Sequence, residues 1–162
     1  MKQVKRIIGI LLSAAVIFPF APKAEAVSLA GLSAKAAILI DAQTGTVIAE
    51  KNEKQRLPMA STTKIMSALL LLESGGLDDQ FRVDNGAIMV EGSSMGLCED
   101  DIVTKRALCY GMLLPSGNDA ANQTAVTLAG STEKFAEMMN QRAEKIGLED
   151  TNFVTPSGLH NE

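Results

Sequence analysis

The segment from Leu57 to Gly76 constrains this chain most. After Leu57-Pro58 come Met59-Ala60-Ser61-Thr62-Thr63-Lys64, then Ile65 to Glu73 without a breaker, and Gly75-Gly76 ends the run. An unbroken stretch of this length predicts a helix whose first turn holds Ser61 to Lys64. Its apolar residues (Ile65, Met66, Ala68 and Leu69 to Leu72) lie nearly all round it, so the helix is expected to be buried by other elements. Whatever its polar first turn carries is then drawn toward the interior with it.

The rest of the chain supplies candidates to surround that helix. Ala36 to Ile40 and Thr46 to Ala49 are apolar and β-branched runs separated by Asp41-Ala42-Gln43-Thr44-Gly45, which reads as a hairpin. Leu77 to Asp101 is a mixed stretch rich in Gly and Ser. Thr104 can cap a second helix running to Leu114, and Pro115-Ser116-Gly117-Asn118 breaks it. Asp119 to Ala129 is a third helix closed by Gly130. Ser131 caps a fourth, with Phe135, Met138, Met139 and Ile146 on one face and Gly147 as its stop. Asn152 to Leu159 reads as a loop or short strand. The chain alternates strand-like and helix-like segments, which places it in the α/β class.

Composition removes several functions. Of the 162 residues, 46% are hydrophobic and 21% charged, which suits one globular domain. A single histidine excludes a multi-histidine metal site and leaves a histidine-based triad only His160. Two cysteines, Cys98 and Cys109, cannot make a zinc cluster or a disulfide-dense scaffold, though they could form one bridge. A net charge of −4 argues against a nucleic-acid partner.

The first 26 residues read differently. Lys2, Lys5 and Arg6 form a positive start, Ile7 to Phe20 is an apolar run, and Ala24-Glu25-Ala26 is a small-x-small cleavage signal. The run is shorter than the roughly 17–25 residues of a spanning helix. Residues 1–26 are therefore expected to be a signal peptide cut after Ala26, with an uncleaved anchor as the alternative. The protein is expected to be exported to the cell envelope or beyond it.

With histidine unavailable, a serine and a lysine offer the chemistry. Ser61 and Lys64 stand at i, i+3 and share a helix face. A lysine amine can take a serine proton if burial holds it neutral. A helix N-terminus also aims backbone N–H groups at developing negative charge. The spacing is a weak signal, because it recurs at Ser131-Thr132-Glu133-Lys134. There the serine follows a glycine and opens an amphipathic helix, so a helix cap is the better reading. Ser61 differs because its helix is apolar. Ser116-Gly117-Asn118 lies in the break between two helices, where a hydroxyl and an amide could relay a proton and hold a substrate. By itself it could equally be a turn capping the helix at Asp119.

Together these segments resemble the penicillin-binding proteins and serine β-lactamases, whose motifs are S-x-x-K, S-x-N and K-T-G. The flanks are similar to one branch, the D-alanyl-D-alanine carboxypeptidases of the S11 peptidase type. The segments concerned are Pro58 to Met66, Leu113 to Ala121, and Gly147-Leu148 through Asn152-Phe153 to Pro156-Ser157-Gly158-Leu159. The resemblance spans about Ala36 to Leu159. It implies a transpeptidase-like fold, an antiparallel sheet flanked by helices plus a helical subdomain.

It also implies a serine carboxypeptidase acting on peptidoglycan stem peptides that end in D-Ala-D-Ala. Ser61 would be the nucleophile, Lys64 the general base, and Ser116 the proton relay. Asn118 would hold the peptide and position Lys64. β-Lactams would acylate Ser61, and neither a cofactor nor a metal is implied. The K-T-G motif is missing, as is the family's C-terminal membrane anchor. Residues 27–162 are therefore expected to be the N-terminal part of a carboxypeptidase domain, truncated before the later strands and poorly active alone. The hairpin face of Ile38, Ile40 and Val47 is expected to lack a sheet partner. A serine β-lactamase and a non-catalytic muropeptide-binding module are the alternatives.

Overall fold

The computed structural model describes Leu29 and residues 31–159. The expected signal peptide at 1–26 and the lone histidine, His160, lie outside the described residues. The chain divides into two units, Met1–Gln55 and Arg56–Glu162.

In the first unit, β1 (Ala37–Ile40) pairs antiparallel with β2 (Val47–Lys51). Asp41 shapes the turn between them. Its Oδ1 accepts from Gln43 N (3.1 Å), Thr44 N (2.7 Å) and Thr44 Oγ1 (2.7 Å). Those bonds fix a tight loop that Gly45 completes at a φ of 71°. The pairing sets Ile38 opposite Glu50 and Leu39 opposite Ala49, with a register shift between Leu39 and Ile40. The second strand extends two residues past the predicted Ala49. Ile38, Leu39, Ile40, Val47 and Ile48 are all exposed. Alternate residues point to opposite faces, so apolar side chains meet solvent on both.

In the second unit, a short 3-10 turn (Ala60–Thr63) leads into α1 (Lys64–Glu73). β3 (Gln80–Arg82) and β4 (Ile102–Thr104) form an antiparallel pair, and α2 (Lys105–Leu113), α3 (Asn118–Ala129) and α4 (Thr132–Lys145) follow. The expected caps are made. Thr104 Oγ1 accepts from Ala107 N at 3.1 Å, and Ser131 Oγ accepts from Lys134 N at 3.2 Å. Gly130, at a φ of 80°, ends α3 in the left-handed region.

The helices bury two linked clusters. Ala68 and Leu71 of α1 pack with Leu108, Cys109 and Met112 of α2 and Ala120 and Ala121 of α3. Met66 packs with Ala125, Phe135, Met139, Ala143 and Phe153. Alanine at 120, 121 and 125 lets the backbones of α1, α2 and α3 approach closely. Removing a buried leucine such as Leu71 from such a core costs about 2–5 kcal/mol.

Three expectations need correction. The helix after Ser61 is not covered all round: Met66, Ser67, Ala68 and Leu71 are buried, whereas Ile65 and Leu72 are exposed. Those two stand seven residues apart and so share one stripe, the side of α1 turned away from its helical neighbours. Ile146 is also exposed, because α4 ends before it and Ala143 takes the buried position. The mixed stretch Leu77 to Asp101, for which no strand was expected, contains β3. A strand of three residues is too short to display alternation.

Cys98 is exposed and Cys109 buried, and both are free thiols. No helix among the described residues is long and apolar enough to cross a membrane.

Candidate active site

The first arm of the site is the turn that opens α1. Ala60 has a φ of 47°, a left-handed conformation unusual for alanine. Thr62 Oγ1 donates to Met59 O at 2.6 Å and braces the turn. Ser61 is exposed there, while Lys64, one turn on, is 1% exposed. Their shared helix face brings Lys64 Nζ to 3.2 Å from Ser61 Oγ. Burial penalises the ammonium form and lowers the pKa of Lys64 below its ordinary value. Among the described residues no carboxylate lies within ion-pair distance of the amine.

The second arm is the break between α2 and α3. Ser116 adopts a φ of 61°, and Gly117 N donates back to Gly111 O at 2.8 Å. Gly117 has no room for a side chain. A Cβ would lie 2.7 Å from Asp119 Oδ1 and 2.9 Å from both Gly111 O and Met95 N. This tight reversal puts Ser116 Oγ 3.5 Å from Lys64 Nζ. The structure therefore brings Ser61, Lys64 and Ser116 together.

Asn118 is held by the loop that follows Val90. Its side-chain amide nitrogen donates to Glu91 O at 2.8 Å, and its backbone N–H donates to Ser93 O at 2.7 Å. Among the described residues it makes no hydrogen bond to Lys64, because the amide is turned toward the 91–97 loop. Asp119, a first-turn helix residue by its sequence position, secures the same loop. Its carboxylate accepts from Ser94 Oγ (2.6 Å), Met95 N (3.0 Å), Gly96 N (3.1 Å) and Leu97 N (3.0 Å). Burial pushes its pKa upward, but the Ser94 hydroxyl and these backbone donors outweigh that and hold it below the usual carboxylate value.

The segment Pro156 to Leu159, which the resemblance includes without assigning it a role, supplies a third arm. Lys64 Nζ donates to the carbonyl of Ser157 at 3.1 Å. Ser67, fully buried one turn further along α1, donates from Oγ to the carbonyl of Pro156 at 2.6 Å. Asn140 of α4 anchors the approach to this strap, accepting from Phe153 N at 2.7 Å and donating to Phe153 O at 2.8 Å. Gly158, at a φ of 82°, lies against the nucleophile turn: a Cβ there would collide with Ala60 O and lie 2.8 Å from Thr63 Oγ1. A polar Ser67 inside an apolar run, three residues after Lys64, was the available signal.

The arrangement is a buried amine, biased toward its neutral form, held between two hydroxyls and one carbonyl. It can accept a proton from Ser61 and pass one to Ser116 over short distances. Among the described residues no three His, Cys, Asp or Glu side chains gather as a metal site requires.

Comparison with known proteins agrees with this architecture. The family model for D-alanyl-D-alanine carboxypeptidase, peptidase S11, matches residues 23–162. The chain is 36% identical over 169 residues to the D-alanyl-D-alanine carboxypeptidase DacF of Bacillus subtilis, covering 98% of this chain and 43% of that protein. The crystal structure of the carboxypeptidase DacD from Francisella tularensis superposes with a TM-score of 0.76 at 35% identity, over 81% of this chain and 33% of that one. Penicillin binding protein 5 from Haemophilus influenzae superposes at 0.73 with 31% identity, over 79% of this chain and 40% of that one. The chain thus spans less than half the length of each, and its helices and antiparallel strands are those of the penicillin-binding-protein fold. On the family match and these identities, the chain belongs to the D-alanyl-D-alanine carboxypeptidase family, peptidase S11.

Proposed function

We propose that this chain carries the nucleophile, base and proton relay of a serine carboxypeptidase that removes the terminal D-alanine from peptidoglycan stem peptides. The observation that carries the reading is the buried Lys64 amine. It lies 3.2 Å from Ser61 Oγ and 3.5 Å from Ser116 Oγ, with its pKa lowered by burial. Ser61 Oγ attacks the carbonyl of the D-Ala-D-Ala bond while Lys64 takes its proton. The C–N bond then breaks. Ser116 gives its hydroxyl proton to the leaving D-alanine nitrogen and is reprotonated by Lys64. Water, activated by the same amine, hydrolyses the acyl-enzyme and restores Ser61. Asn118, its amide nitrogen fixed on Glu91 O, offers its amide oxygen to the peptide. β-Lactams take the place of the peptide and leave Ser61 acylated.

On this reading residues 1–26 are a signal peptide and the protein works in the cell envelope. Residues 27–162 supply the catalytic side chains Ser61, Lys64 and Ser116. N-terminal sequencing of exported protein is expected to begin at Val27; a start near Met1 identifies an anchor instead.

The test of the activity uses the full-length product of the gene. Incubation with a fluorescent penicillin is expected to leave one stable label, mapped to Ser61, and a D-Ala-D-Ala peptide is expected to release D-alanine. Penicillin turnover without a lasting label would mark a β-lactamase. Peptide binding with neither label nor release would mark a binding module.

A further inference from the structure

Lys64 and Ser67 stand one turn apart on the buried face of α1, and they grip consecutive carbonyls of one strap. Ser67 Oγ donates to Pro156 O at 2.6 Å, and Lys64 Nζ donates to Ser157 O at 3.1 Å. Ser67 is fully buried, and so is Pro156. The strap cannot rise, because its carbonyl would lose a buried partner, nor settle lower, because Gly158 already rests on Ala60. The height of the Ser157 carbonyl over the amine is thus set by Ser67 from one side and Gly158 from the other.

That carbonyl limits how the amine can be wired. A neutral lysine amine has two N–H donors and one lone pair. A backbone carbonyl only accepts, so one N–H is committed to Ser157 O. One N–H and the lone pair are left for two hydroxyls, so one hydroxyl must donate to the amine and the other must accept from it. When Ser61 donates, Ser116 accepts, and the Ser116 proton is then free to face a leaving group. After Lys64 has taken the Ser61 proton, its three N–H groups match the three acceptors: Ser157 O, Ser116 Oγ and the new ester oxygen of Ser61.

We propose that Ser67 is a positioning residue: by holding the Pro156 carbonyl it presents the Ser157 carbonyl to Lys64, and that carbonyl orients the amine for proton transfer from Ser61 to Ser116. The inference rests on the proposed roles of Ser61, Lys64 and Ser116. No charged group competes for the amine among the described residues. On α1 the other ionisable residue, Glu73, is paired with Arg142 of α4. On α3, Asp119 is engaged with the 94–97 loop. On α2, Lys105 reaches Ser74 and Gly75, Arg106 is paired with Asp78, Cys109 is a buried thiol and Tyr110 is exposed. The other charged residues of α4 are exposed, and the strap from Thr155 to Leu159 has none.

The carbonyl favours the protonated amine, so its loss lowers the Lys64 pKa further. The experiment measures the acylation rate by fluorescent penicillin across pH for the full-length product, Ser67→Ala and Ser67→Cys, each normalised to the fraction that labels at completion. In Ser67→Ala the acid limb is expected to move to lower pH by about one unit, the scale of a lost hydrogen bond to a charged group. The plateau rate is expected to fall about tenfold through misalignment. Ser67→Cys keeps the volume with a weaker donor and is expected to shift in the same direction by less; it carries the test if the alanine variant does not fold. Limbs that overlay the parent's, with only a lower melting temperature, overturn the positioning role. A parent that never labels at Ser61 overturns the proposed function instead, so the two failures are distinct.

Discussion

The chain contains the same four-residue spacing twice, and the two copies end in different chemistry. At Ser131-Lys134 the serine has an extended backbone and its Oγ accepts the Lys134 N–H at 3.2 Å, while the lysine side chain is exposed. At Ser61-Lys64 the serine makes no cap to α1, and the lysine side chain reaches back 3.2 Å to its hydroxyl. The first pair satisfies a helix terminus, which any serine ahead of a helix can do. The second points inward because Met66, Ala68 and Leu71 draw α1 into the core, and because Ser116 in the α2–α3 break and the 155–159 strap close over the amine. Spacing puts two side chains on one face; only burial changes what a lysine can do there.

The contrast can be broken most sharply at the two serines. Ser61→Ala is expected to abolish labelling by a fluorescent penicillin in the full-length product, and Ser131→Ala to leave it intact. Equal labelling of both variants would erase the distinction.

The lysines separate them next. Lys64→Arg is expected to be nearly as damaging as Lys64→Ala, each slowing acylation by about 10²–10⁴, because guanidinium stays charged and cannot serve as a base. Lys134→Ala is expected to acylate at the parent's rate. An arginine at 64 that acylates near the parent's rate would make that lysine an electrostatic partner and place the base elsewhere.

A smaller effect is expected at Gly158, which has no counterpart near Ser131. Gly158→Ala meets Ala60 O and must also hold a φ of 82°. Lifting the strap should slow acylation by about tenfold or more, read from the same label's time course. A rate matching the parent's would show that the strap height is not critical.

The least effect belongs to the cap itself. Ser131→Ala is expected to lower stability by about 1 kcal/mol in denaturant unfolding, with acylation preserved. A loss of several kcal/mol would mean that Ser131 does more than cap α4.

Much of the local structure was legible. Thr104, Ser131 and Gly130 announce their helix boundaries because capping chemistry is confined to a few neighbouring residues. The hairpin followed from Asp41 and Gly45 for the same reason. The pairing of Gln80–Arg82 with Ile102–Thr104 was not legible, since three-residue strands leave no periodic trace. Ser61, Lys64 and Ser116 were named from their motifs and do meet in space. Asn118, expected to hold the peptide and position Lys64, gives its amide N–H to Glu91 O, and Asp119, Ser67 and the Ser157 carbonyl have no role legible in the motifs. A carbonyl has no sequence signature, because every residue carries one.

The sequence alone determined roughly where helices begin and end, which serines could lie beside a lysine, and that a histidine base could only be His160. Those facts depend on near neighbours along the chain. Only the tertiary structure decided which lysine loses its water and what surrounds it: Ser116 and Ser157 reach Lys64 from 52 and 93 residues away. Meetings over such separations are set by how α1, α2, α3 and α4 pack, and no local pattern of residues specifies that packing.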